Sequence, residues 1–587
     1  MKSFLKFTLA SIVGVFISML IVFFIFAGII AAVSSDKEVT VKAHSILFAK
    51  FDIPIVDRDS DNPFESFSSG HFGMEGKLGL NDIIENIEKA SSDNNIDGIF
   101  LDLTVIPAGI ATLEEIRNAL VKFKNSGKFI YAHADYYTQG SYFLATASDK
   151  IFLTPEGEIP WRGLRSEQIF FKRALDKLGI DPQVIRHGTY KSAAEPFMLE
   201  KLSDENKQQI EDYLSSIWEN ILDKVSQSRN IPVSSLQEYA DNLTISNAQS
   251  ALDHKFVDSL LYFDEVLTIF KKLTQVEEKK NLNYIHMKKY TQVPKKRGTK
   301  GLAKDKIAVI YASGNIITGD GGSNMMSSDK TSKLIREARR DSSIKAIVFR
   351  VNSGGGSALA SEVIWREVKL ASQTKPVIAS LGDVAASGGY YIVTPAKKII
   401  AGINTLTGSI GVIGLLPNGK EFMKNKLGIT ADVVKTNKYS DLGSFFRPLE
   451  PEEKELISKE IGNIYNTFIS HVAEGRNMTK EAVDIIGGGH IYSGVDAKKL
   501  GLIDEFGGLQ DAIDLAVKEA GLTNYRIVEM PKKVDPLESI MKQLSGDVKS
   551  QVLRNELGDN YKYYDQLKKM QQMQGIQAIL PFEIDVY

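Results

Sequence analysis

An internal repeat restricts this sequence to two similar folded units in tandem. Residues 95–103 (NIDGIFLDL) align with residues 343–351 (SIKAIVFRV), an offset of 248 positions. A long, nearly constant offset between similar segments indicates a duplicated structural unit. The other matches at about this spacing are Gly140–Tyr142 with Gly388–Tyr390, Asp149–Ile151 with Lys397–Ile399, Lys177–Ile180 with Lys426–Ile429, Ser228–Asn230 with Gly475–Asn477, and Val257–Asp258 with Ile503–Asp504.

Short apolar runs alternate with helical patterns in both units, which predicts βαβ crossovers and a mostly parallel sheet in an α/β fold. A long helix is predicted from Phe197 to Val225, and another from Glu450 to Val472. At 587 residues the chain is long enough for about three or four domain-sized units. We divide it into a stub with a membrane anchor (1–36), a first repeat (45–292), a basic linker (293–305), a second repeat (306–525) and a helical extension (526–587).

Two of these segments lie outside the repeats. The linker carries Lys295, Lys296 and Arg297 and is read as a solvated connector. In the extension, the stretch from Val534 to Gln574 is rich in Lys, Gln and Met and has a helical pattern. The apolar tail that follows, Ala578 to Phe582, is expected to pack on a neighbouring surface.

The amino end contains an uncharged apolar run from Phe7 to Val33. This run exceeds the roughly 20 residues that a helix needs to cross a bilayer, and the apolar core of a cleavable signal peptide is shorter, about 7–15 residues. We therefore expect one uncleaved transmembrane helix. Lys2 and Lys6 on its short side favour a cytoplasmic amino terminus, with the rest of the chain on the other side of the membrane.

Composition excludes several classes of function. The net charge of −2 provides no general basic surface, so nucleic acid is not an expected partner. The chain has no cysteine, which removes disulfides, thiolate nucleophiles and cysteine-bound metal.

The stretch from Lys375 to Tyr391 carries the first candidate catalytic residue. A short strand, Pro376 to Ser380, is expected to turn at Gly382 and Asp383 and to enter a helix after Ser387. The amide groups at a helix N-terminus point outward and favour negative charge, so an oxyanion formed beside Ser387 would be stabilised. By itself, Ser-Gly-Gly is more often only a turn.

Comparison of the two repeats makes the candidate sharper. Gln139 stands where the second repeat has Ser387, and Ser440 stands where the first repeat has Lys191 when the neighbouring tyrosines are aligned. One copy has thus kept a serine and the other a lysine. A nucleophile needs a base, and a lysine can act as one if burial lowers its pKa. Taken alone, Lys191 reads as an ordinary surface lysine.

Four segments together resemble the signal peptide peptidase A family in its long, tandem-repeat form: Ala385–Tyr390, Asn352–Ser357, Thr407–Val412 and Tyr190–Phe197. The resemblance runs from the apolar amino-terminal segment to about Gly521. It implies that each repeat has a ClpP/crotonase-like fold.

The resemblance also implies a serine-lysine dyad that needs no metal or cofactor. Carried over motif by motif, Ser387 is the nucleophile, Lys191 the general base, and Ser409 the hydroxyl that orients the lysine amine. The amides of Gly355 and Gly388 form the oxyanion hole. The family usually has proline where this chain has Gly354, which leaves open how the second oxyanion donor is held.

The resemblance further implies an endopeptidase that degrades cleaved signal peptides through an acyl-enzyme. Its site would lie on the periplasmic or extracytoplasmic side of a bacterial inner membrane, in a homo-oligomer, by resemblance a tetramer. Two other classes stay open: a crotonase-type enzyme acting on acyl-CoA, and a catalytically silent membrane scaffold. The sequence also leaves open whether the dyad forms within one chain or between chains.

Overall fold

The computed structural model describes residues 2–33, 39–59, 76–294, 303–319, 325–532 and 575–580. The three basic linker residues, the stretch predicted to be helical from Val534 to Gln574, and the tail residues Pro581 and Phe582 lie outside these ranges. An amino-terminal helix covers Lys2–Val33. Within the described ranges, no helix combines the length and the apolar character that crossing a bilayer requires.

The first repeat is built on a six-stranded parallel sheet with the order β8-β6-β5-β4-β1-β9. The strands described in this half are β1 Ser45–Lys50, β2 Ile55–Val56, β3 Leu78–Gly79, β4 Ile96–Asp102, β5 Phe129–Tyr136, β6 Lys150–Glu158, β7 Asp181–His187, β8 Ser259–Leu260 and β9 Asn283–His286. The helices are Leu80–Ser92, Ile110–Phe123, Gln139–Ala145, Lys172–Leu178, Glu195–Met198, Asp204–Arg229, Val233–Asp241, Ala248–Asp253, Phe263–Leu273 and Met287–Tyr290, and a 3₁₀ turn covers Lys124–Ser126.

The second repeat has an eight-stranded sheet in which β20-β16-β15-β13-β10-β21 repeats the strand order of the first. Its two additional strands are β17, which also pairs with β15, and β19, which pairs antiparallel with β17. Its strands are β10 Lys306–Ser313, β11 Asn315–Ile317, β12 Met325–Ser327, β13 Ile344–Ser353, β14 Gly355–Ser357, β15 Val377–Ala386, β16 Lys398–Ala401, β17 Leu406–Gly408, β18 Val412–Asn418, β19 Ile491–Tyr492, β20 Glu505–Phe506 and β21 Arg526–Met530. Its helices are Ser328–Arg340, Ala358–Ser372, Gly388–Tyr391, Pro451–Arg476, Lys480–Ile486, Gly494–Lys499 and Leu509–Glu519, with a π turn at Phe422–Lys426. The predicted α/β repeat is therefore confirmed.

The sequence matches that revealed the repeat correspond to equivalent contacts in the two halves. Arg229 Nη1 lies 3.0 Å from Asp258 Oδ2, and Arg476 Nη1 lies 2.9 Å from Asp504 Oδ2. In both copies the aspartate also accepts a 2.8 Å hydrogen bond from the amide of an isoleucine at the start of a strand. These ion pairs tie the end of the long helix to the sheet.

Two local predictions were wrong. The first long helix begins at Asp204, seven residues after Phe197, because the Ser203 side chain accepts a hydrogen bond from the Asn206 backbone amide and caps the helix there.

The second wrong prediction is the turn expected at Gly382 and Asp383, where strand β15 instead continues to Ala386. Asp383 is tied from outside its own repeat, since both the amide and the hydroxyl of Thr112 donate to its carboxylate, at 2.9 and 2.6 Å.

A third sheet contains strands from both repeats, in the order β12-β11-β14-β22-β18-β7, where β22 is Gly575–Ile579. Strand β7 of the first repeat pairs antiparallel with β18 of the second over seven residue pairs, from His187 with Val412 to Asp181 with Asn418. The tail residue Ala578 is buried in this sheet, as the predicted packing of the tail requires. The two halves therefore share backbone hydrogen bonds as well as side-chain contacts.

Buried charges also join the repeats. Arg350, which is fully buried in β13, donates to Asp57 Oδ1 at 2.6 Å and to Glu115 Oε1 at 2.7 Å. Both carboxylates come from the amino-terminal half. Removal of one partner from a buried ion pair typically costs about 3–5 kcal/mol, since the other charge is left uncompensated. These contacts resist a shift of one repeat along the other.

Glu114 also lies at this interface, and burial changes the protonation of its carboxyl group. Burial raises its pKa to about 7, although the Asn404 amide donates to Glu114 Oε2 and opposes the shift. The native chain thus holds a proton that the unfolded chain releases between pH 4.5 and about 7. The stability that this proton provides is fully present below pH 4.5 and is lost as the pH rises through about 7.

We expect Glu114→Gln to stabilise the protein at pH 8 by up to about 3 kcal/mol, because the amide keeps the shape of the carboxyl group without its buried charge. At pH 5 the effect should be small. Thermal unfolding followed by circular dichroism at both pH values measures the difference. Glu219→Gln, at an exposed site, is the matched control. An equal effect of Glu114→Gln at both pH values would contradict the assignment.

Candidate active site

Three residues predicted to act together from distant parts of the sequence lie in contact. Lys191 Nζ lies 2.7 Å from Ser387 Oγ, 2.9 Å from Ser409 Oγ and 3.1 Å from the Ser409 carbonyl oxygen. All three residues are fully buried. The contact joins the two repeats within one chain.

The shared sheet positions these side chains. Strand β7 ends four residues before Lys191, and β18 begins three residues after Ser409. Because β7 and β18 pair directly, the loop that carries the lysine and the turn that carries the second serine leave the sheet side by side. The long-range contact thus follows from backbone pairing between the repeats.

Ser387 has a backbone conformation that is rare for a residue with a side chain, with φ 55° and ψ −117°. Its amide donates to the Gly408 carbonyl oxygen at 2.8 Å, and the preceding residues are paired with β17. Strain of this kind persists only where the surroundings enforce it, and it is common at catalytic nucleophiles on strand-to-helix turns. The turn holds the hydroxyl toward Lys191.

Burial lowers the pKa of the Lys191 amine well below its usual value of 10.5. Removal of the amine from water is the cause, since the charged form loses more solvation than the neutral form. Tyr190, the preceding residue, is only partly buried, and its ring lies against His490 with ring centroids 4.4 Å apart. Glycine residues pack more directly against the lysine.

These residues include a loop of glycines that was not predicted from the sequence. A methyl group placed on Gly489 would lie 2.6 Å from the Lys191 backbone nitrogen, and one on Gly411 would lie 3.1 Å from Lys191 Cδ. Gly489 also has φ +89°, which side chains disfavour. The loop is bound in place by the Tyr190 amide, which donates to the Gly488 carbonyl oxygen at 3.0 Å. Three consecutive glycines, 487–489, were its visible signal.

A buried network of hydrogen-bonded side chains stabilises the loop that carries Lys191. Ser192 Oγ donates to Asn206 Oδ1 at 2.9 Å, and the Asn206 amide group donates to Glu195 Oε2 at the same distance. Gln209 donates to the Tyr190 carbonyl oxygen at 3.2 Å. These groups fix the backbone on both sides of Lys191, which restricts the positions that its amine can reach.

The two glycines predicted to hold an oxyanion are adjacent. A methyl group on Gly355, which has φ +102°, would lie 2.7 Å from the Gly388 nitrogen. Gly388 opens a four-residue helix, so its N–H has no acceptor within that helix. The Gly355 N–H donates to Ser353 Oγ at 3.1 Å. Gly355 must therefore share or release its present bond to Ser353 in order to act as an oxyanion donor beside Gly388.

The residues aligned with the dyad have other roles. Gln139, the counterpart of Ser387, accepts hydrogen bonds from the amides of Arg162 and Gly163 at 3.0 and 2.9 Å and donates to the Gly163 carbonyl oxygen at 2.8 Å. It stabilises a loop of the first repeat. Ser440, the counterpart of Lys191, is exposed in a turn. The two repeats together therefore contain one serine-lysine pair, with the lysine in the first repeat and the serine in the second.

Both repeats of this chain are similar to known proteases. The sequence profile of Peptidase family S49 matches residues 122–277 and 369–523, one segment in each repeat. Protease 4 of Salmonella typhi is 37% identical over 480 residues, which cover 80% of this chain and 77% of that protein. The chloroplastic serine protease SPPA of Arabidopsis thaliana is 35% identical over 495 residues, which cover 83% and 71% of the two chains. A solved ClpP1 mutant from Listeria monocytogenes covers 35% of this chain and 94% of its own, at 18% identity and a TM-score of 0.24.

Proposed function

Since the chain belongs to peptidase family S49 and is a serine protease in the tandem form of Protease 4, we propose that it cleaves peptides with Ser387 as nucleophile and Lys191 as general base. One observation carries the proposal. A lysine amine with a depressed pKa lies 2.7 Å from the hydroxyl of a conformationally strained serine, and both groups are buried. A neutral amine at that distance can accept the serine proton.

The hydrogen bonds around the amine fit its neutral form. A neutral amine has two N–H donors and one lone pair. The two oxygens of Ser409 can accept both donors, at 2.9 and 3.1 Å, which leaves the lone pair of Lys191 for the hydroxyl hydrogen of Ser387. Ser409 would in this way orient the base without requiring its charged form.

The reaction then proceeds through an acyl-enzyme. Ser387 Oγ attacks the carbonyl carbon of the substrate, and the oxyanion forms beside the amides of Gly388 and Gly355. Protonated Lys191 gives its proton to the leaving amine. Water then attacks the ester, with the lysine again acting as base, and the enzyme returns to its starting state.

Cleaved signal peptides are the substrates that we propose, and each repeat is proposed to have the ClpP/crotonase-like fold. The support is the resemblance of the four motifs, together with the apolar run from Phe7 to Val33, which would hold the site near the bilayer. The chain division made from the sequence (1–36, 45–292, 293–305, 306–525 and 526–587) is retained as part of this proposal. The tetramer stays a prediction of the resemblance.

The two other functional classes account for less of the site. A crotonase-type reaction on acyl-CoA would use an oxyanion hole but would need neither Ser387 nor Lys191 as a reacting group. A silent scaffold would have no need of a strained serine against a desolvated lysine. Ser387-dependent hydrolysis of a peptide, without turnover of acyl-CoA thioesters, discriminates all three.

The dyad predicts that Ser387→Ala, Lys191→Met and Lys191→Arg each lower kcat/KM for a fluorogenic peptide by at least about 10³-fold. Methionine fills the space of the lysine without a base, and arginine stays charged. The Ser387→Ala/Lys191→Met double variant should be no worse than either single variant, because the two groups act as one unit.

Ser440→Ala, at the exposed position aligned with Lys191, is the matched control for activity, and unfolding curves check that each variant folds. Substantial turnover by Lys191→Arg, or losses that multiply in the double variant, would remove Lys191 from the mechanism.

The anchor predicts that protease added to intact spheroplasts digests the part of the chain that follows Val33, with the amino terminus protected. An epitope placed at each end reports the two sides of the membrane, and a cytoplasmic protein serves as the integrity control. Complete protection of the chain, or its release from washed membranes at high salt, would contradict the proposed topology.

A further inference from the structure

Strand β15 contains a bulge just before Ser387. Between Leu381 and Ala385 this strand advances four residues. Its partner β13 advances only two over the same stretch, from Val351 to Ser353. A bulge of this kind bends the strand and, beside an active site, commonly redirects a side chain. The position of the proposed nucleophile therefore depends on how the bulge is held.

Side chains from both repeats hold this bulge. Asn352, on β13 of the second repeat, accepts a hydrogen bond from the Val384 amide through Oδ1 at 3.2 Å. In the middle of the bulge, the Asp383 carboxylate accepts from the amide and the hydroxyl of Thr112, at 2.9 and 2.6 Å. Because Thr112 belongs to the first repeat, the second contact connects the bulge to the half of the chain that carries Lys191.

Asp383 caps a helix that has no side-chain cap of its own. Thr112 is the third residue of the helix Ile110–Phe123, and an N-cap side chain normally accepts from the amide at the second or third position. The cap position is occupied by Gly109, which has no side chain to accept that bond. A methyl group on Gly109 would lie 2.2 Å from Asp383 Cγ, so the carboxylate fills the place of the missing cap. Its negative charge also lies at the end of the helix that favours it.

The corresponding helix of the second repeat is capped from within. Ser357 stands at the position of Gly109, and its side chain accepts a 3.3 Å hydrogen bond from the amide of the third helical residue. Asp135, which matches Asp383 at the offset of 248, accepts instead from the Thr154 hydroxyl of its own repeat. The first-repeat helix thus differs from its copy in taking its cap from the strand that leads to the nucleophile.

We propose that Asp383 is a positioning residue for Ser387: by capping the helix of the first repeat, it fixes the bulge relative to the half of the chain that carries Lys191. This inference rests on the proposed function of that serine and lysine. A displacement of about 1 Å between reacting groups can cost about 100-fold in rate. Loss of the cap should therefore lower kcat, although Asp383 makes its hydrogen bonds to Thr112 and not to the reacting groups.

Kinetics and thermal unfolding of the full-length chain separate a positioning role from a stabilising one. Asp383→Ala should lower kcat for a fluorogenic peptide at least about 10-fold, with KM changed less than about twofold, and should lower Tm. In Asp383→Ala/Gly109→Ser the helix regains a cap of its own, and the serine has room because the atoms nearest to a methyl group there belong to the deleted carboxylate. The Tm should recover in this double variant while kcat stays low. Recovery of kcat together with Tm would overturn the proposal, since Asp383 would then act only through the stability of the helix.

Three single variants complete the experiment. Asp383→Asn keeps a side-chain acceptor for the helix and should retain kcat within about threefold, so a loss equal to that of Asp383→Ala would contradict the cap as the cause. Asp135→Ala, at the exposed counterpart, is the matched control and should leave kcat unchanged. If Asp383→Ala does not fold, Thr112→Val removes the hydroxyl donor while keeping the helix amide, and it should lower kcat at least about threefold.

The Ser387→Ala chain separates this inference from the proposed function. If that chain still hydrolyses the peptide, the serine-lysine mechanism fails, and this inference fails with it. If Ser387→Ala is inactive while the folded Asp383→Ala chain, or Thr112→Val in its place, has the kcat of the wild type, the mechanism stands and the positioning role of Asp383 is overturned.

Discussion

Removal of the Lys191 amine from water is the physical condition on which the rest of the site depends. A lysine in solvent is almost fully protonated at neutral pH and cannot act as a base. Here desolvation lowers its pKa, and the surrounding structure maintains that desolvation. The glycine loop that includes Gly489 can lie close against the Lys191 backbone because it has no side chain at that position, where one would collide with the lysine backbone. The polar network at Asn206 and Glu195 holds the loop that carries it.

The duplication explains why these conditions are met across two repeats. The strand order of the first sheet recurs within the larger sheet of the second half, and the ion pair of Arg229 with Asp258 recurs as Arg476 with Asp504. In the proposed mechanism one half supplies the base and the other supplies the nucleophile, so their relative position must be held within about 0.5 Å. The pairing of β7 with β18 and the buried contact of Arg350 with Asp57 provide that rigidity. The contacts that stabilise the interface between the repeats thus also position the residues of the site.

Much of the fold could be predicted from the sequence, because periodicity and self-similarity are local properties that survive in a single chain. One failure was local, since the Ser203 cap sets the start of the first long helix. The other was set by a distant partner. Asp383 favours a turn by its own preference, yet it lies in a strand because Thr112 donates to it from the other repeat. Arg350 offered a signal, a charge within an apolar run, but its two carboxylate partners lie 293 and 235 positions away. The pairing of Ser387 with Lys191 came from the family resemblance, since no spacing rule links residues so far apart.

The central claim is that Lys191 is neutral when it activates Ser387, and the pH dependence of acylation tests this most directly. The measurement is the rate of the acylation burst with a p-nitrophenyl ester, from pH 5 to pH 11, in the wild-type and Lys191→Arg chains. Because only the neutral amine accepts the serine proton, the wild-type rate should rise with pH through a single ionisation well below 10.5, and the arginine chain should lack this step. A midpoint near 10.5, or the same profile in the Lys191→Arg chain, would contradict the account.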